Sequence, residues 1–240
     1  MNRLQKTLLI SLVSISAVAW FVSKDQPDMM MAMMTYNPTM ISLFVVSWTA
    51  GMAAMMFPAI SPIVLLYNKL IKSSNGETVS VKSYSSRMVL FVGCYLAVWA
   101  LTGLALLLMW SIPMNAFLME IGRSELQIVY GILLIVAGAY QFSPLKTKCL
   151  GYCESPMSFF MRRWKSGTIG AVKMGTYHGL YCLGCCWPYF LLMVALGLMN
   201  LLWMGVFAGI IFGEKVWSRG ILISRAAGIG FIILGLFTIG

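Results

Sequence analysis

Long apolar runs alternate with short polar joints along this chain. The runs cover about residues 4–22, 39–67, 88–112, 125–142, 174–199, 201–213 and 221–239. A helix that crosses a bilayer needs about 20 predominantly apolar residues, and most of the runs reach that length. Backbone N–H and C=O groups in lipid must find partners within their own segment, so each run predicts a helix. The expected fold is all-α: a polytopic membrane helical bundle of about seven transmembrane helices, one integral membrane domain over residues 1–240. Pro58 and Pro62 predict a kink or a break in the second run. Pro144 stops the fourth, and residues 143–173 read as a Cys-rich loop. The first run follows a short basic head, Arg3 and Lys6, as a signal peptide would. It is long and lacks a small-x-small cleavage site, so it reads as an uncleaved span.

Charge adds direction to this pattern. Only 10% of the 240 residues are charged and 60% are hydrophobic, where a soluble domain is about a quarter charged. The formal net charge of +10 raises the question of a nucleic-acid partner. No basic patch interleaved with aromatics and no Gly-rich phosphate loop supports one. The basic residues lie in the joints instead. With seven spans, one side collects Arg3, Lys6, Lys69, Lys72, Lys82, Arg87, Lys146, Lys148, Arg162, Arg163, Lys165, Lys173, Lys215, Arg219 and Arg225, which is 15 of the 17 basic residues. Cytoplasmic joints are the Lys/Arg-rich ones. The N-terminus and the 143–173 loop are therefore expected in the cytoplasm and the C-terminus outside, in a multi-pass protein of the cell membrane whose first partner is the bilayer.

Candidate chemistry crowds into one stretch. Residues 149–186 hold five of the six cysteines and the only histidine. His178, Cys182, Cys185 and Cys186 stand at i, i+4, i+7 and i+8, one face of a helix that turns every 3.6 residues. Cys149 and Cys153 precede them on the loop. Thiolate and imidazole are ligands for copper or zinc, and thiols on the cytoplasmic side stay reduced. Cys149, Cys153, Cys182 and Cys185 would close a tetrahedron, with His178 or Cys186 as a substitute. Cys94, alone in the third run, reads as packing. Pro188 cannot donate to the carbonyl four residues back, which frees the Gly184 carbonyl beside Cys185.

The 20 methionines add a second donor set. Met52, Met55 and Met56 share a face of the second run, and thioethers select Cu(I). Met29, Met30, Met31, Met33 and Met34 form a dense run on the expected outer side, with Asp25 and Asp28 nearby. Flexible filling of apolar interiors is the plainer account of methionine. Glu214 and Lys215 read as a helix-end pair at the lipid headgroups, with a supporting role beside a metal ligand as the alternative.

The chain resembles a family of predicted metal-binding integral membrane proteins that carries a domain of unknown function. The resemblance rests on Met52-Ala-Ala-Met-Met-Phe-Pro58, Pro144-Leu-Lys-x-x-Cys149-Leu150, His178-Gly-x-x-Cys182-x-x-Cys185-Cys186-Trp187, Met199-Asn200-x-x-Trp203-Met204 and Glu214-Lys215. It implies a metal site in a membrane bundle and no particular activity. Glu154 and Pro188 depart from the residues expected after the second loop cysteine and after the tryptophan. The expected function is the handling of copper(I) or zinc: transport, or delivery to a membrane metalloenzyme or to partner subunits. The alternatives are a membrane thiol-disulfide oxidoreductase built on Cys182-x-x-Cys185 and an accessory subunit of a larger complex. No paired carboxylates and no nucleophile–base pair point to an enzyme.

Overall fold

A computed structural model describes residues 3–22, 37–73, 81–113, 123–196, 200–217 and 219–240. Among these residues there are nine helices and no strands: α1 (Arg3–Val22), α2 (Pro38–Ser73), α3 (Val81–Pro113), α4 (Arg123–Tyr140), α5 (Pro144–Glu154), α6 (Pro156–Arg163), α7 (Gly167–Leu196), α8 (Leu201–Val216) and α9 (Gly220–Ile239). The all-α expectation holds. Three of the described helices are long and apolar enough to cross a membrane, over Pro38–Ile71, Ser83–Met109 and Gly220–Ile239. The pair Gln127–Tyr140 and Pro144–Cys153, bent by 64°, would make a fourth, and Lys6–Phe21 is a shorter apolar helix.

α7 is the helix on which the site is built. Its buried positions include Ala171, Met174, His178, Cys182, Cys185, Cys186, Tyr189, Phe190 and Met193. They recur every three or four residues, as one face of a helix must. Val172, Tyr177 and Leu180 look outward from the opposite face. α3, α4, α5 and α8 all pack on α7, and α2 packs on α3 and α8. α9 lies along α4 at backbone distance. A Cβ on Gly138 would stand 2.6 Å from the Gly228 carbonyl oxygen, and one on Gly235 would stand 2.6 Å from that of Gly131. Paired glycines let the two backbones meet, the usual device of close membrane-helix contacts.

Segment 143–173, expected as a loop, instead carries α5 and α6. Ser143 caps α5: its side-chain oxygen accepts from the Lys146 amide at 3.1 Å, and Pro144 takes the first helical position, where no amide donor is needed. The proline that ends α4 therefore also starts the next helix. A Ser-Pro pair at the head of each helix, Ser143-Pro144 and Ser155-Pro156, is the signal that the loop reading passed over.

Of the kink or break expected in the second run, the break does not occur: α2 runs as one helix through Pro58 and Pro62. Each proline leaves the carbonyl four residues earlier without its amide. The Ala54 carbonyl, freed by Pro58, accepts from the Ser16 hydroxyl of α1 at 2.5 Å. The Pro58 carbonyl, freed by Pro62, accepts from Ser61 at 2.8 Å. The Gly184 carbonyl, freed by Pro188 in α7, accepts from Tyr140 of α4 at 2.5 Å. A hydroxyl answers each of the three, as buried backbone polar groups require.

Candidate metal centre

Three elements deliver sulfur to one buried place. α7 supplies Cys182, Cys185 and Cys186, each fully buried. Cys185 and Cys186 hold their Sγ atoms 3.3 Å apart, and Cys185 Sγ also lies 3.2 Å from the Cys182 carbonyl. α5 brings Cys153, whose Sγ is 3.9 Å from that of Cys185. α2 brings Met56, whose Sδ is 3.9 Å from Cys182 Sγ. Two sulfurs bound about 2.3 Å from a common tetrahedral ion stand roughly 3.8 Å apart. The Cys153–Cys185 and Cys182–Met56 pairs are at that separation.

The expected donors divide on this map. Cys153, Cys182, Cys185, Cys186 and Met56 come together. Met52 and Met55 are buried on the same helix as Met56 and belong to the apolar core. Cys149 packs against α7 at Gly184, where a Cβ would stand 2.8 Å from its sulfur. Cys94 is half-buried and apart, as expected of a packing residue. His178 sits in an aromatic cage, with ring centroids 5.5 Å from Tyr95, 5.6 Å from Phe159 and 6.3 Å from Phe91. It is buried, and neither ring nitrogen has a hydrogen-bond partner. Met29–Met34, Asp25, Asp28 and the Glu154 side chain lie outside the described residues. Among those that are described, no three His, Cys, Asp or Glu side chains enclose one point closely enough to hold a metal ion.

A cation already stands among the sulfurs. Lys215 Nζ is 2.7 Å from Cys182 Sγ and 3.7 Å from Met56 Sδ. The Tyr95 hydroxyl approaches the same Cys182 sulfur at 3.2 Å. Lys215 is 4% exposed and Glu214 fully buried, so the two are not a pair at the headgroups. Consecutive residues on a helix point about 100° apart, and each finds a different partner. Glu214 meets Lys146 of α5 at 2.7 Å, with both side chains out of solvent, and accepts from the Tyr189 hydroxyl at 2.5 Å. Lys146 also donates to the Cys185 carbonyl at 2.7 Å and lies 5.0 Å from the Tyr189 ring centroid. The arrangement fastens α5 and α8 to the turn of α7 that bears Cys185.

Lys146, Tyr95, Tyr140 and Tyr189 escaped the sequence reading, and Glu214 and Lys215 entered it as a headgroup pair with a supporting role only as the alternative. The signal was present for some of them: Lys146 falls within Pro144-Leu-Lys-x-x-Cys149, and Glu214-Lys215 is itself one of the motif pieces. Ionisable residues within or beside apolar helices are functional candidates for a physical reason, since only a specific partner offsets their desolvation.

Thiol and thioether sulfurs from three helices thus meet in the buried core of an all-α fold, as the described residues show it. The particular family follows from comparison: a family model described as the copper chaperone PpoB2 matches residues 45–238, and the chain belongs to that family. The match takes in α2 from Val45 onward and every helix that contributes to the sulfur cluster, and leaves out α1. Comparison with curated proteins and with solved structures found no match.

Proposed function

We propose that this chain is an integral membrane copper chaperone that carries Cu(I) as cargo on Cys153, Cys182, Cys185 and Cys186, with Met56 as a thioether donor. The convergence of these five sulfurs from α2, α5 and α7 carries the reading. Zinc sites draw on thiolate, imidazole and carboxylate, whereas thiolate and thioether together suit Cu(I). Met56 beside Cys182 therefore favours copper over zinc. A buried set of thiols keeps the ion from water until a recipient takes it, and a copper enzyme in or at the membrane is the recipient that this chemistry fits. His178 and Cys149 border the cluster without belonging to it.

The test is metal content of the detergent-purified protein loaded with Cu(I) under reductant, with zinc in parallel. Wild type should retain copper in preference to zinc. Cys182→Ser should lose most of it, and Cys94→Ser should not. Equal copper in wild type and Cys182→Ser would sink the reading.

The proposal includes a topology of seven spans, α1 to α4 and α7 to α9, with the N-terminus cytoplasmic. Lys146 and Lys215 are buried and drop out of the charge count, but the remaining joints keep the same asymmetry. A reporter fused after Gly240 should read extracytoplasmic. A cytoplasmic reporter at that position means an even number of spans.

A further inference from the structure

We propose that Lys215 is a tethered seat-holder: its ammonium occupies the place of the Cu(I) cargo at Cys182 and Met56 in the empty protein, and moves to the His178 imidazole when cargo enters. The inference rests on the copper reading above and concerns how the same site fills and empties.

Four observations converge on it. Lys215 Nζ contacts both a thiol sulfur and a thioether sulfur, at 2.7 and 3.7 Å. The two sulfurs are themselves 3.9 Å apart, a spacing suited to sharing one ion. A lysine head group next to a methionine sulfur gains little as a hydrogen bond, because a thioether is a weak acceptor. The contact makes sense as a cation placed where a cation is to go. The second half of the inference comes from a cavity of about 110 Å³ beside the sulfurs, bordered by Cys153, His178, Lys215, Ile60, Ile63 and Val216. Each water in the liquid takes up about 30 Å³, so there is room for an ammonium head to turn into it. His178 borders the same cavity with both ring nitrogens unpartnered and its ring held by three aromatic side chains. A buried imidazole without a partner costs free energy unless some state of the protein supplies one. Neutral imidazole offers one acceptor nitrogen, and Lys215 is the one cationic residue among those that border the cavity.

At Cys182 one monovalent cation replaces another, but Lys215 carries its charge only as far as His178. The site stays balanced when one thiol proton leaves for solvent as its sulfur binds Cu(I), whereas a divalent ion requires the loss of two. The tether also works in reverse: an ammonium held beside Cys182 competes for its sulfur and favours hand-over to a recipient.

The experiment is a double-mutant cycle on full-length protein in detergent. Cu(I) affinity and release are followed with a chromophoric Cu(I) chelator, and zinc serves as the control ion. Lys215→Leu removes the charge and adds no sulfur donor. His178→Phe suits the aromatic cage and removes the unpartnered nitrogens, so both variants are expected to fold. Lys215→Leu should bind Cu(I) more tightly and release it more slowly by about tenfold, the scale of one charge-assisted hydrogen bond. His178→Phe should weaken Cu(I) binding by about the same factor when Lys215 is present and leave it unchanged in the Lys215→Leu background. Weaker or equal Cu(I) binding by Lys215→Leu overturns the inference and makes the lysine a counter-ion of the bound copper. An equal loss from His178→Phe in both backgrounds also overturns it and makes His178 a ligand. If Lys215→Leu does not accumulate, an unchanged affinity in His178→Phe alone is enough to reject it. Wild type that takes up no Cu(I) is a different outcome, and removes the copper reading itself.

Discussion

Replacing Glu214 with alanine is expected to destabilise the protein by about 3–5 kcal/mol, the cost of leaving one partner of a buried pair alone. Glu214 and Lys146 meet at 2.7 Å with no exposure of either side chain. Truncation strands the Lys146 ammonium on the Cys185 carbonyl and leaves the Tyr189 hydroxyl without its acceptor. Thermal unfolding in detergent, followed by cysteine accessibility, measures the loss. Converting both partners to methionine should recover most of it, because two apolar side chains leave no buried charge behind. A double variant as unstable as Glu214→Ala would show that the ion pair is not the source of the effect. The pair reaches the site as well as the fold, since Lys146 grips the carbonyl of a thiol-bearing residue. Glu214→Ala should therefore also hold less Cu(I), although Glu214 touches none of the sulfurs.

The second large effect is expected at Gly175, one turn before His178 on α7. A Cβ there would run into the carbonyl of Phe91 on α3, backbone against side chain. Neither atom is the end of a flexible group, so the helices must part. Overpacking of this kind costs typically about 1–3 kcal/mol, and Gly175→Val, with three added carbons at a backbone contact, belongs at or above the top of that range. Parting α3 from α7 also withdraws Tyr95 from Cys182, now 3.2 Å from its hydroxyl. Reduced stability and reduced copper retention should appear together. Gly93→Ala on α3 is the control, because a Cβ at Gly93 meets nothing within 4 Å. Normal stability of Gly175→Val would mean that α3 and α7 pack less closely than described.

The site was legible in the sequence where it depends on one helix. His178, Cys182, Cys185 and Cys186 share the buried face of α7 because their spacing matches the helical turn. The carbonyl freed by Pro188 is Gly184 because the hydrogen-bond register is four residues. The same rule identifies the carbonyls that the prolines of α2 free but not what answers them, since the hydroxyl that meets Ala54 comes from Ser16, 38 residues away. Which of the two cysteines of α5 lies nearest the thiols of α7 was not legible, for a related reason. Cys149 and Cys153 are one turn apart on α5, and only the seating of α5 on α7 decides that Cys153 meets Cys185 while Cys149 meets Gly184.

Helical, apolar and sulfur-rich character, and the alignment of three thiols with a histidine, were determined by the sequence alone, because composition and periodicity act within a segment. The partners of the charged groups were decided by the tertiary structure. Lys146 and Glu214 are 68 residues apart, Cys182 and Lys215 are 33 apart, and Cys182 and Met56 are 126 apart. Nothing local distinguishes a lysine that will face headgroups from one that will be buried against a thiol. Burial removes the water that would otherwise solvate each charge, and only the packing of α2, α5, α7 and α8 determines which group takes its place.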